Sequence, residues 1–179
     1  MPNWIRALTL CSALVLVHVV VPAQESAPEL HARLKELAIS GTINVPNSSP
    51  ADTEGVISAR AGYYLTKRDI FGVDGTFFAY SRVTDFYTSG YYRRLIRIHN
   101  PRLFLFLGGA AGANTLSYYY WNSGTGHKFF ADGEAGVRYY LGRKTAFEVG
   151  YKLIHIRGGG TDFASSSSSM LTFGFSCAL

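Results

Sequence analysis

From residue 36 onward, large apolar residues recur at every second position in eight separate runs. Successive side chains of a strand point to opposite faces, so this period of two predicts strands with one apolar and one polar face. The run that begins near Ser169 shows it most cleanly. There Leu171, Phe173, Phe175, Cys177 and Leu179 alternate with Thr172, Gly174, Ser176 and Ala178. Run 145–156 sets Phe147, Val149, Tyr151 and Leu153 against Glu148 and Lys152, and run 129–141 sets Ala135, Val137 and Tyr139 against Asp132, Glu134 and Arg138. The earlier runs cover 37–45, 56–65, 70–82 and 91–98. Their apolar faces carry Ile39, Ile57, Val73 and Ile96, and their polar faces carry Ser40, Arg60, Asp74, Arg93 and Arg97. Arg94 interrupts the apolar face of the fourth run near one end. The fifth run, 103–113, is apolar throughout, so alternation assigns it no faces.

The connections have their own rhythm. Thr66-Lys-Arg68, His99-Asn-Pro-Arg102 and Gly142-Arg-Lys144 read as tight turns, whereas 46–55, 83–90, 114–128 and 157–168 read as long loops rich in Ser, Gly, Asn and Asp. An even strand count with short turns on one side and long loops on the other is the pattern of a transmembrane barrel. The expected fold is therefore all-β: an eight-stranded antiparallel up-and-down transmembrane β-barrel over residues 36–179, monomeric, with lipid covering its apolar face. The competing arrangement is a secreted β-sandwich binding module, which needs a second sheet to cover Phe71, Phe77 and Phe147. Side chains fill the interior of a barrel this small and leave no open channel.

The turns also set a register. If 66–68 and 142–144 are three-residue turns, Leu65 pairs with Asp69 and Leu141 with Thr145. Arg60 then faces Asp74, Arg138 faces Glu148, and Glu134 faces Lys152, three cross-strand pairs of opposite charge. With Arg93 and Arg97 on the same polar faces, these residues predict an ionic network inside the barrel.

Composition narrows the class. Hydrophobic residues make up 47% and charged residues 16%, which excludes a disordered chain. Aromatics at 15% with 19 glycines suit β structure. The net charge is +5, but the basic residues are scattered along the chain, so no nucleic-acid surface is expected. Arg6, the apolar run 7–21 and Val21-Pro-Ala23 predict a signal peptide over 1–23, cleaved before Gln24. That run has 15 residues, whereas a spanning helix needs about 20. Residues 24–35 are a short periplasmic segment, either helical through Leu30, Leu34 and Leu37 or disordered. The expected address is the outer membrane of a Gram-negative bacterium, reached through the barrel-assembly machinery. Cys177 is alone once the signal peptide is removed, so no disulfide is expected. The five histidines lack metal-ligand spacing, and neither metal nor cofactor is expected. Gly108-Gly-Ala-Ala-Gly112 lacks phosphate-loop order and is read as small residues where strands crowd. Tyr118-Tyr-Tyr-Trp121 reads as interfacial girdle.

One segment suggests chemistry. By parity His155 shares the apolar face with Tyr151 and Leu153 near the long-loop end, and a titratable ring facing lipid is costly unless it sits at the interface or has a task. Tyr151-Lys-Leu-Ile-His155-Ile-Arg157-Gly resembles the PagL-type lipid A deacylases, small outer-membrane barrels that act in the outer leaflet. The resemblance implies a catalytic histidine on the penultimate strand, a nucleophilic serine two residues later, then asparagine, and a glutamate opening the last strand. His155 matches the histidine. The serine position is Arg157, the asparagine position Gly158, and the glutamate position falls near Ser169. Without serine and glutamate, His155 has nothing to activate and nothing to orient it. The rest of the chain resembles OmpA/OmpX-type barrels in general. Two functions are therefore expected: a structural or surface-interaction role, or lipid A deacylation by His155 or its loss in a non-catalytic relative. Arg157, Arg94 and Tyr151 are expected to contact outer-membrane lipid and lipopolysaccharide, because guanidinium binds phosphate in bidentate fashion.

Overall fold

The computed structural model describes residues 28, 30–44, 55–79, 83–119, 128–158 and 166–179. Eight strands account for most of them: β1 (Lys35–Asn44), β2 (Gly55–Tyr64), β3 (Asp69–Ala79), β4 (Val83–Arg97), β5 (Leu103–Tyr119), β6 (Lys128–Tyr140), β7 (Thr145–Gly158) and β8 (Ser166–Ala178). Each pairs antiparallel with the next, and β8 returns to β1, closing a barrel. Closure removes the sheet edges altogether. It also overturns the sandwich alternative, since no second sheet exists among the described residues.

The turn chemistry delivers the expected register. The Leu65 amide donates to the Asp69 carbonyl at 2.8 Å and the Leu141 amide to the Thr145 carbonyl at 2.9 Å. Arg60 accordingly lies opposite Asp74, Glu134 opposite Lys152, and Arg138 opposite Glu148. The faces follow from this. Val73 is 63% exposed and Leu153 57%, while their neighbours Asp74 and Lys152 are buried. A wall of accessible Leu, Ile, Val and Phe around a polar interior inverts a soluble protein and suits a lipid surround. The fifth run acquires faces too, with Phe104 and Phe106 inside and Leu105 and Leu107 outside.

One expected loop is strand instead, and the other three are shortened by strand at their ends. Residues 83–90 form the first half of β4, and 114–119 extend β5, past a register shift at Phe86/Tyr87. The reason is what the interior accepts: Asp85, Tyr87 and Ser89 point inward and are buried, so a loop-like composition is here a strand with a polar lumen face. The connection after β3 is thus only 80–82, and the alternation of short and long connections breaks there. Gly108 to Gly112 lie within β5, and a side chain on Gly112 would come within 2.7 Å of Ser89. Crowding, as expected, accounts for these small residues.

The segment entering β1 is not helical over 30–34. Arg33 takes a positive φ of 75°, and its amide donates to Tyr64 O at 2.8 Å. Leu34 is thereby tucked into an apolar cluster with Tyr64, Ile70, Leu95, Phe104 and Tyr140 at the end of the barrel that carries the short turns. A second cluster, Val56, Tyr87, Phe130, Ile154 and Met170, lies toward the opposite end. Along β2, β6 and β7 these apolar positions flank the charged ones, which keeps the charges away from water at both mouths. Residues 1–27, and with them the signal-peptide expectation, lie outside the described residues.

Candidate functional site

The inward polar residues join into one alternating chain of charge. It begins at Asp74 on β3, whose carboxylate accepts from Arg60 Nε and from the Thr76 hydroxyl, each at 2.8 Å. Arg60 on β2 reaches across the lumen to Glu134 on β6 at 3.0 Å. Glu134 also accepts from Arg93 on β4, at 2.8 Å from Nε. The same guanidinium bonds Glu148 on β7 at 2.7 Å. Glu148 in turn meets Arg138 on β6. Arg138 then grips Glu36 on β1 with two bonds of 2.7 and 3.0 Å, while the Tyr64 hydroxyl donates to Glu36 at 2.8 Å. Four carboxylates alternate with three guanidiniums over six strands, and none of the seven is more than 8% exposed. A buried charge is tolerated only when paired and hydrogen-bonded, and each guanidinium here serves two carboxylates.

Paired glycines make room for this chain. Gly62 faces Gly72 across β2 and β3, and Gly136 faces Gly150 across β6 and β7. A Cβ on Gly72 would lie 2.8 Å from Tyr91 Cε1, and one on Gly150 would lie 2.8 Å from Phe106 Cζ. Each bare patch of wall is therefore covered by a ring. Arg60 lies 5.6 Å from the Tyr91 centroid and Arg93 4.2 Å from the Phe106 centroid, within cation–π range.

Two of the three expected pairs, Arg60–Asp74 and Arg138–Glu148, form as the register implies. The third does not. Glu134 is taken by the two arginines reaching across the lumen, so Lys152 bonds Asp132 at 2.7 Å instead, diagonally across the same two strands. Arg97 also falls outside the network, exposed at the short-turn rim of β4. Sequence reasoning missed Glu36, which precedes the first apolar position of its run, and left Asp132 out although its parity already put it inside. Among the described residues, no three His, Cys, Asp or Glu converge as a metal site.

The outer wall separates residues that the sequence had grouped. Arg94 lies at the short-turn end, opposite Asp69 in the register and 3.6 Å from its carboxylate. Arg157 lies exposed at the other end. The two therefore cannot form one phosphate site. Tyr151 projects outward halfway along β7, where a lipid neighbour presents acyl chain rather than headgroup. His155 is exposed about ten residues above the short-turn end of β7, near the outer limit of a roughly 25 Å apolar band. Its Nδ1 lies 3.0 Å from the Ser167 hydroxyl on β8. Ser167 was legible only through the β7–β8 register, which pairs it directly with His155.

Known proteins agree with this geometry. The family described as outer membrane protein beta-barrel domain matches residues 9–178. No curated protein matches the sequence. Among solved structures, the N-terminal β-barrel domain of Pseudomonas aeruginosa OprF is similar at 13% identity and TM-score 0.63, covering 83% of this chain and 98% of that one. Neisserial surface protein A is similar at 15% identity and TM-score 0.59, covering 80% and 95%. P. aeruginosa outer membrane protein H is similar at 18% identity and TM-score 0.55, covering 83% and 99%.

Proposed function

The chain belongs to the outer membrane protein β-barrel domain family, and from that premise we propose that it is a closed, monomeric barrel with a structural or surface-interaction role rather than a pore. The observation that carries this reading is the charge chain, which crosses the lumen from β3 to β1 with apolar clusters on either side. A conducting path would have to part these buried ion pairs. In this reading the chain is exported by a signal peptide cleaved before Gln24 and inserted by the barrel-assembly machinery. The short turns lie in the periplasm, and the opposite strand ends lie at the cell surface. Arg157, exposed at that end, would meet lipopolysaccharide phosphate in this reading. The test is planar-bilayer conductance of the refolded barrel, with heat-dependent gel migration as the check on folding. No sustained current is expected, and a long-lived open pore from folded protein would sink the proposal.

A second reading rests on one contact, His155 Nδ1 with Ser167 Oγ. A hydroxyl beside an imidazole on the lipid-facing wall is the minimal pair for acyl transfer from an outer-leaflet ester. Ser167 would stand in for the serine that the deacylase pattern puts at Arg157. Lipid A from cells expressing the protein should then lose one acyl chain by mass, and both Ser167→Ala and His155→Ala should restore it. Unchanged lipid A mass with the wild-type protein removes this reading.

A further inference from the structure

Basic residues that look scattered along the sequence converge at one end of the barrel. The turn between β2 and β3 exposes Lys67 and Arg68, and the turn between β6 and β7 exposes Arg143 and Lys144. Arg33 and Lys35 are exposed where the chain enters β1. The Arg94 side chain, 58% exposed, adds a cation at the foot of β4. Among the described residues the side-chain carboxylate nearest this crown is that of the half-buried Asp69, which accepts from Thr66 and Tyr92 at 2.6 Å each and lies 3.6 Å from Arg94. At the opposite end, Arg157 is the described cation whose side chain is exposed. Among the described residues the exposed basic side chains thus gather mainly at one end.

The arrangement favours a lipid surface over a compact ligand. The cations encircle the barrel instead of clustering on one side, since they come from β1, the β2–β3 turn, β4 and the β6–β7 turn. They also lie just beyond the apolar wall, where Tyr63, Tyr92 and Tyr139 point outward in the manner of an interfacial aromatic girdle. A cation on a flexible stem at that level reaches the phosphate layer while its methylenes stay against apolar surface.

We propose that this crown binds anionic phospholipid headgroups of the adjacent leaflet, with Lys67, Arg68, Arg143 and Lys144 as its principal contacts. The proposal rests on the membrane reading above but not on the barrel being closed. The test refolds the full barrel into phosphatidylcholine bilayers carrying spin-labelled phosphatidylglycerol or spin-labelled phosphatidylcholine. At low salt the protein should favour the anionic lipid about tenfold, in line with the pull of several juxtamembrane cations. The preference should fall toward parity at about 1 M salt, where the screening length is about 3 Å. The fourfold variant Lys67→Gln, Arg68→Gln, Arg143→Gln, Lys144→Gln should lose most of it, and Arg157→Gln at the other end should keep it. Heat-dependent migration shows whether each variant has folded. Equal association of both lipids with folded wild type overturns the proposal, and so does a preference that survives in the fourfold variant. If the folded protein ignores lipid charge yet binds soluble heparin through the same residues, the partner is a polyanion in solution and the lipid assignment falls. Failure to insert into any bilayer is a different result, and it would strike the membrane reading itself.

Discussion

Arg138→Met lowers the free energy of unfolding by about 3–5 kcal/mol, the usual cost of removing one partner from a buried ion pair. The guanidinium is fully buried and bonds both Glu36 and Glu148, so its loss leaves two carboxylates on neighbouring lumen positions with no cation between them. Met fills the volume and cannot answer either charge. Urea titration of the barrel refolded in detergent micelles measures the effect. Arg94→Met is the control, because its pairing with Asp69 is solvated and worth at most about 1 kcal/mol. Adding Glu36→Gln and Glu148→Gln to Arg138→Met should recover part of the loss, since the damage comes from stranded charge and not from lost attraction. Equal sensitivity of Arg138 and Arg94 would mean that water reaches the lumen.

Val73→Arg comes next in size and tests the opposite surface. Val73 projects outward near the middle of β3, between Ala61 and Gly90 in the register, and is 63% exposed. In a bilayer that position is at mid-depth, where an arginine costs about 2–4 kcal/mol. Leu65→Arg, at the short-turn rim, should cost about 0–1 kcal/mol in the same vesicles. Depth is thereby measured as a gradient. Were the barrel to sit in water, both substitutions would be near neutral or favourable, because each replaces an exposed apolar side chain with a charged one.

The parts of the fold that sequence made legible are those that depend on nearest neighbours. Alternation along 145–156 gives the faces of β7, and the length of the Gly142–Lys144 turn places Arg138 opposite Glu148. What stayed hidden depends on position across the lumen. Parity says that Arg60, Arg93 and Glu134 all point inward, but not that β2 and β4 converge on the same carboxylate of β6. The Glu134–Lys152 expectation failed for that reason. The upper half of β4 was hidden differently, since Asp85, Tyr87 and Ser89 have a turn-like composition and become a strand only because an interior accepts polar side chains. The cationic crown was invisible because its members are separated by long stretches of chain and meet only once the barrel closes. Ser167 sits in a serine run that offers no pattern, and only its pairing with His155 distinguishes it.

The seam between β1 and β8 sets the order of events when the barrel forms. Leu37 pairs with Cys177 and Ile39 with Phe175, so this ladder joins residues from opposite ends of the barrel sequence. Every other ladder joins consecutive strands. Contacts so distant along the chain are the slowest to form, because the whole intervening loop must close before any of them is gained. Until β8 is in place, β1 therefore carries an unsatisfied edge on the side away from its ladder to β2. Such an edge invites pairing with another chain. The β1 edge is thus open to such pairing from the time β1 is made until the seam closes.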